Sequence, residues 1–566
     1  MAGRFPFGYR PRPRLEYDRA MRVTVGWGAA LVWAAIGCSA GGDDGGAADA
    51  GPGPEGDAGA PPYATLSCPG VHADGDGAGA TGPIAQPSLL DHSGCETTAP
   101  LDTIDPCGIW HLDLSISGGG RFSVTVRVDP TDDGLRGLLF GREAADVRLS
   151  STDLFIRRVE EQSNGLLATA IDFCAVRADG GVEGLYAVCG EGGYCDQGTF
   201  LGYKVEPLDE APSDGLRLVS EWNGPAAAPW PTERGLGQTY NVRHRGTVAY
   251  LARAHDGLRI VDLSDPASPA DLGHAPTLYP EVGEFYNDVK LTEANGALYA
   301  IMASSARGVV IIDVSDPARP VEVATVPETS PQYPYVGVHT VFTEAERVYA
   351  TNLSHGGIDI FHVLDPTRPR LLGRYVQPDA WEVGGYAHDL YAKAGRVYIS
   401  YWSRGMVVID SAADPANPTL EGLFDDYEPR TSHSPWVTEV GGREIAVVGD
   451  EGYGAHLRVV DAEPGSDTRW DAIGAYATRP QVSVHNIMTV GETALVTYYQ
   501  DGLRLLDLSD PAAPEEVAHF QSWPGPAPGY GVAFYEGAIG VDHDAARDLI
   551  LLADTHRGLL ILEREP

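Results

Sequence analysis

Four histidines stand in matching contexts at intervals of roughly 50 residues, the period of propeller blades and similar arrays. They are His339 in Val-Gly-Val-His-Thr, His388 in Tyr-Ala-His-Asp, His433 in Thr-Ser-His-Ser and His485 in Ser-Val-His-Asn. The corresponding places in the flanking repeats hold Asn241, Asp288 and Asp542, with His543 beside the last. Imidazoles and carboxylates brought together in this way could bind a divalent transition metal or serve as acid–base groups. The competing role is architectural: each histidine makes the same hydrogen bond to a neighbouring repeat. Because the position recurs with the repeat, the architectural role takes precedence.

The segments leading into these positions are rich in aromatic residues. Tyr286, Tyr335, Trp381, Tyr386, Trp523 and Tyr530 are the candidate rim residues, suited to stacking on a sugar, a peptide or a flat ligand. A second histidine set, His255, His355 and His556, falls in tight turns and reads as solvated. Established catalytic signatures are missing. There is no H-E-x-x-H, G-x-S-x-G or Walker sequence. Gly77 to Gly82 matches G-x-G-x-x-G only in a low-complexity stretch that follows no strand. These observations name no catalytic residue and no cofactor beyond a candidate transition metal.

The elements that would carry the histidines are written by a second repeat. Gly-Leu-Arg-Ile-Val-Asp-Leu-Ser-Asp-Pro at 257–266 returns as Gly-Val-Val-Ile-Ile-Asp-Val-Ser-Asp-Pro at 308–317 and Gly-Ile-Asp-Ile-Phe-His-Val-Leu-Asp-Pro at 357–366. A full copy, Gly-Leu-Arg-Leu-Leu-Asp-Leu-Ser-Asp-Pro, stands at 502–511, and shorter or divergent copies at 405–410, 456–461 and 558–563. Each copy reads as the third of four short strands, with a glycine where a hairpin needs positive φ and Asp-Pro where the ladder must end. The histidines then fall at the starts of innermost strands and converge on a channel mouth. The last copy ends at Pro566 without an outer strand, while an orphan strand, Leu216 to Trp222, precedes the first. The expectation is a seven-bladed β-propeller over 216–566, closed by strand 216–222, which would remove two exposed sheet edges.

These stretches, preceded by Val-Ala-Tyr-Leu-Ala and Leu-Tyr-Ala-Ile, resemble the LVIVD-repeat family of exported bacterial β-propeller proteins. The likeness is best at 248–275, 297–325, 347–373 and 494–518. The fifth copy departs, with Ala455-His456 in place of the glycine and Glu463-Pro464 in place of Asp-Pro. The resemblance implies fold and export, and it assigns no activity to particular residues.

Upstream of the propeller the composition changes several times. Met21-Arg22 followed by an apolar run to Ile36 and Gly37-Cys38 reads as a signal peptide with a lipobox, over 1–37 with the start at Met1 or Met21. Cys38 is then the lipidated residue, and 38–62 is a flexible Gly/Ala/Asp/Pro tether. Of seven cysteines, Cys38 leaves an even set: Cys68, Cys95, Cys107, Cys174, Cys189 and Cys195. In an exported chain these predict three disulfides, with fifteen pairings open. They fall in 63–205, where alternating strands predict a small disulfide-stapled β sandwich or barrel, and 206–215 reads as a linker.

The formal net charge of −39 disfavours nucleic acid and anionic lipid surfaces as partners. The expected molecule is all-β: a bacterial cell-envelope lipoprotein, anchored at the outer membrane or cell surface. Its propeller is a non-enzymatic scaffold for a protein, peptide or carbohydrate partner at the aromatic-lined mouth. The alternative is a metal-dependent envelope enzyme using the histidine ring.

Overall fold

The Asp-x-Ser-Asp-Pro turns show why the repeat is spelled as it is. The first aspartate closes a local turn by accepting from the backbone N–H two residues on: Asp262 from Ser264, Asp313 from Ser315 and Asp507 from Ser509, at 2.8–2.9 Å. The second does the same from Asp265 to Ala267, Asp316 to Ala318 and Asp510 to Ala512. Each turn ends the third strand of a blade and reverses the chain into the fourth. The glycine that opens the third strand has φ of +90° at Gly257 and +76° at Gly502. In the third blade the positive φ belongs to Gly356 rather than Gly357.

The computed structural model describes residues 101–115, 121–132, 134–162, 165–190, 195–224, 239–279, 284–326, 337–527 and 529–565. The signal and tether expectations, Cys38, Cys68, Cys95 and Tyr335 lie outside them. Seven antiparallel sheets form a β-propeller. Blade 1 begins at Thr239–Arg245, blade 2 at Tyr286–Ala294, blade 3 at Val338–Glu344 and blade 4 at Asp389–Lys393. Blade 5 begins at Ser432–Val440, blade 6 at Ile487–Val490 and blade 7 at Ala538–Asp544. Each of these first strands is the innermost of its blade, and neighbouring inner strands pack side by side around the axis.

Blade 7 takes its outer strand from the other end of the propeller. Leu216–Trp222 pairs antiparallel with Gly558–Arg564, from Leu216 opposite Arg564 to Trp222 opposite Leu559. Residues 206–215, expected as a linker, are strapped along blade 6. Ser213–Asp214 adds to the edge of Glu515–Phe520, and Gln521 N–H donates to the Pro212 carbonyl at 2.7 Å. Arg504 joins Glu210 at 2.6 Å and Glu516 at 3.1 Å.

Residues 108–205 form one nine-stranded antiparallel sheet, running from Gly108–Ser115 to Cys195–Val205. Its sequence-terminal strands pair with each other, and its two short edges curl together, with Ala144 N–H on the Gly137 carbonyl and Ala145 N–H on the Arg157 carbonyl. Trp110, Phe173 and Phe200 fill its core with edge-on rings. Cys107, Cys174 and Cys189 are disulfide-bonded, and Cys189 stands opposite Cys195 across two strands.

This sheet is seated on the propeller face that carries the starts of the inner strands. Arg127 donates to the carbonyls of Ala527 at 2.8 Å and Pro526 at 3.2 Å, in the loop entering blade 7. Ser123 Oγ accepts from Tyr453 N–H in a blade 5 hairpin. His111, fully buried, bonds the Gln481 carbonyl at 2.6 Å and lies 4.4 Å from the Phe534 ring. Ile109 and Val205 share an apolar cluster with Val482, Tyr499 and Trp523. Burying side chains of this size stabilises by about 1.5–3 kcal/mol each, so the seat is a firm one.

Candidate functional site

The starts of four consecutive inner strands bring the four histidines into one row around the mouth. Ring centroids are 4.2 Å apart for His339 and His388, 4.3 Å for His388 and His433, and 4.3 Å for His433 and His485. The expected carboxylates do not join them. Asp288 accepts from Asn241 Nδ2 and Lys290 Nζ, both at 2.6 Å, and from Val341 N–H of the next blade. Asp542 accepts from the backbone N–H and Nδ1 of His244 at 2.8 and 2.7 Å. Both are inter-blade ties, and this is the architectural role that the histidines were expected to play.

The acid that does face the row is Glu451, the residue after the second strand of blade 5. Its Oε1 lies 3.6 Å from His433 Nε2 and 3.9 Å from His485 Nε2. One ligand atom from each of His388, His433 and Glu451 falls within 4.8 Å of the others. The Tyr499 hydroxyl donates to Glu451 Oε1. Burial pushes the Glu451 carboxyl up to about 8, against the pull of that hydrogen bond. Glu451 escaped the sequence reading because it stands outside the repeated register. One signal was there: it lies in Gly-Asp-Glu-Gly-Tyr-Gly, in the copy that abandons the repeat glycine.

The four imidazoles differ in what they bond. His485 donates from Nδ1 to the Ile539 carbonyl of blade 7 at 2.6 Å, which leaves the lone pair on Nε2, the nitrogen facing Glu451. His339 Nε2 accepts from Asn287 Nδ2 at 3.3 Å. Among the described residues, His388 Nδ1 and both nitrogens of His433 are buried without a close hydrogen-bond partner, His433 having only a weak bond to the His485 backbone. Burial lowers His339 to about 4 and His485 to about 3. It also holds His388 and His433 well below the ordinary imidazole range, helped by the neighbouring rings. At neutral pH all four are neutral, the state in which an imidazole can bind a metal.

Below the row the channel is polar and narrow. Asn241, Lys290, Asp389 and Thr340 line a cavity of about 30 Å3 together with His433 and His485. That volume holds a water or an ion and excludes a sugar ring or a peptide. Burial pushes the Asp389 carboxyl up to about 6.

The rim residues divide. Tyr286 is buried and its hydroxyl accepts from Arg307 at 2.5 Å. Trp523 is buried, with Nε1 donating to Glu536 at 2.8 Å, and Tyr530 is stacked on His556 at 4.5 Å. These three pack loops together and face no ligand. Tyr386 is half-buried and stacked on Trp402 at 5.5 Å, with His388 against the same indole at 4.9 Å. Trp381 is 56% exposed, on the short turn Ala380–Val383. The second histidine set is half-buried and partnered: His255 bonds the Glu284 carbonyl, and His355 lies 3.3 Å from Asp359.

The repeated turn, the hairpin glycine and the seven sheets coincide with a sequence match: the family description "LVIVD repeat" fits residues 236–276, 297–327 and 384–426. The chain carries LVIVD repeats. The matched LVIVD segments fall on blades 1, 2 and 4. No curated protein matches the chain. Among solved structures, the RRP9 WD40 repeats align at 8% identity over 62% of this chain and 98% of that one, with a TM-score of 0.44. Saccharomyces cerevisiae Sqt1 aligns at 9% identity over 58% of this chain and 97% of that one, with a TM-score of 0.41. The computationally designed Ika8 protein aligns at 7% identity over 74% and 95%, with a TM-score of 0.37.

Proposed function

We propose that the chain is an exported, lipid-anchored binding scaffold. Cys38 and the tether that follows hold it at the bacterial envelope, and three disulfides among the remaining six cysteines staple the nine-stranded domain. The uncovered part of the propeller rim engages a protein, peptide or carbohydrate partner. The observation that carries this reading is a set of exposed apolar side chains on the mouth face: Leu278 and Tyr279 before blade 2, and Trp381 and Val383 before blade 4. Among the described residues, the contacts of the nine-stranded domain fall on the loops of blades 5 to 7 and not on these two loops.

Both loops are held in place from beneath. The buried Glu284 accepts from Thr277 Oγ1 at 2.6 Å, from Leu278 and Tyr279 N–H at 3.2 Å, and from Arg307 Nε at 2.7 Å. Asp379 receives Arg404 at 3.1 Å, and Gly385 N–H bonds the Ala380 carbonyl at 2.7 Å. Rigid apolar groups on a fixed frame lose little entropy when they bind, which suits a recognition surface. The acidic surface favours a neutral or basic partner over a nucleic acid.

The test is a panel of soluble glycans and peptides scored by thermal shift and tryptophan fluorescence. A ligand of the wild-type protein should be lost by Trp381→Ala combined with Tyr279→Ala. Equal binding by the double variant would overturn the rim assignment. The second reading, a metal-dependent envelope enzyme, is favoured by one observation: the cluster of His388, His433 and Glu451.

A further inference from the structure

We propose that His388, His433 and Glu451, with His485 as a fourth donor, form a binding site for one divalent transition-metal ion at the channel mouth. The proposal does not depend on the rim reading, because it concerns buried groups beneath the aromatic loops.

Three observations lead to it. First, the purely architectural role fails for two of the four histidines. A repeated inter-blade bond is made by His485, to Ile539, and in weaker form by His339. Among the described residues, His433, 2% exposed, makes no close hydrogen bond through either nitrogen and only a weak one to the His485 backbone, and His388 has Nδ1 unbonded. Burying unsatisfied polar atoms costs about 1–3 kcal/mol each, so the pair needs a partner. Second, the donors are of the right kind and close enough. Nitrogen and oxygen donors at about 2.0–2.2 Å from a tetrahedral ion lie roughly 3.5 Å apart. His433 Nε2 and His485 Nε2 stand 3.6 and 3.9 Å from Glu451 Oε1, and donors of His388, His433 and Glu451 lie within 4.8 Å of one another, with His485 outside that closer group.

Third, the donors are themselves oriented. The Ile539 carbonyl fixes the tautomer of His485 so that its Nε2 lone pair faces Glu451, and the Tyr499 hydroxyl donates to Oε1, the same carboxyl oxygen that faces the imidazoles. Hydrogen bonds of this kind orient and tune metal ligands. Two or three imidazoles and one carboxylate suit zinc, iron, cobalt or manganese; calcium prefers all-oxygen sites.

A second group, Glu210, Glu516 and His519, shows what a non-metal cluster looks like here. Its donors are also close together, but Arg504 bonds both carboxylates and His519 Nδ1 bonds Glu516. The cation is already supplied by the protein.

The experiment uses full-length protein stripped with a chelator and titrated with Co2+, whose visible absorption reports nitrogen and oxygen ligation and ignores loose binding at surface acids. The expected result is one Co2+ per chain with ligand-field bands, displaced by Zn2+. His433→Ala and Glu451→Gln should each weaken binding at least 100-fold, and Tyr499→Phe 10–100-fold. Glu516→Gln should leave the spectrum unchanged. Wild-type protein that gives no ligand-field bands overturns the proposal, whatever the variants do. Bands that persist unchanged in folded His433→Ala and Glu451→Gln proteins overturn it as well.

Discussion

Tyr499, at the end of the second strand of blade 6, reaches across to blade 5 and donates its hydroxyl to the Glu451 carboxyl. Both groups are buried. The pair therefore ties two blades together at the point where the side chains of His433 and His485 meet. In chelated protein, Tyr499→Phe leaves a buried carboxyl short of its donor and should cost about 1–3 kcal/mol. A double-mutant cycle with Glu451→Gln should show a coupling energy of the same order. Additive losses in urea or thermal unfolding would show that the two groups do not act on each other.

Ring closure makes the second expectation. Leu216 and Leu218 from the start of the propeller lie in one apolar cluster with Leu552, Leu560 and Leu562 from its end. Leu216 is fully buried, so Leu216→Ala should destabilise by about 2–5 kcal/mol. Deleting 216–222 should cost more, since it also bares the edge of Gly558–Arg564. A melting temperature unchanged by the deletion would show that the two ends do not hold each other.

The propeller was legible because its punctuation is chemical. Glycine at a positive φ and aspartate before proline each have one local job, and both recur in every good copy. The histidine row was legible for the same reason, since equivalent positions on inner strands converge. Register alone could not say which way a carboxylate turns. Asp288 and Asp542 stand in register but face backbone N–H groups of the next blade, whereas Glu451 stands out of register and faces the row. The seating of the nine-stranded domain was illegible because it rests on pairs such as Arg127 with Ala527, far apart in the chain and outside any repeat. That seating is also why Trp523 and Tyr530, sound candidates by residue type, turned out to be packing groups.

Two glycines separate backbone strain from crowding. Gly246 has φ of +58°, and a Cβ there would meet nothing within 4 Å. Gly257 has φ of +90°, and a Cβ there would lie 2.3 Å from the Ala275 carbonyl oxygen. Gly246→Ala should therefore cost only the left-handed backbone penalty, about 1 kcal/mol. Gly257→Ala adds a clash with a strand that cannot yield and should cost at least twice as much. Equal losses in denaturant unfolding would show that the hairpin at 254–257 relaxes freely.

His111 contributes to the pH dependence alongside the four histidines of the row, which burial also holds down. Burial beneath Phe534 is the largest cause holding its imidazole down to about 3, from an ordinary 6.5. The folded protein therefore keeps His111 neutral while the unfolded chain takes up a proton as the pH falls below about 6.5. The unfolded state binds more protons throughout that interval, so stability rises with pH and is lost progressively from about 6.5 down to about 3. At about 1.4 kcal/mol for each pH unit crossed, this one group accounts for a loss of several kcal/mol. Replacing it removes the titration but also the bond to Gln481, so the variant of choice is His111→Gln, which retains a donor near that carbonyl. His111→Gln should be somewhat less stable at pH 7.5, and its stability should fall less steeply between pH 6.5 and 4.5 than that of the wild type. Parallel stability–pH curves for the two proteins would mean that His111 titrates normally and that the nine-stranded domain does not shield it.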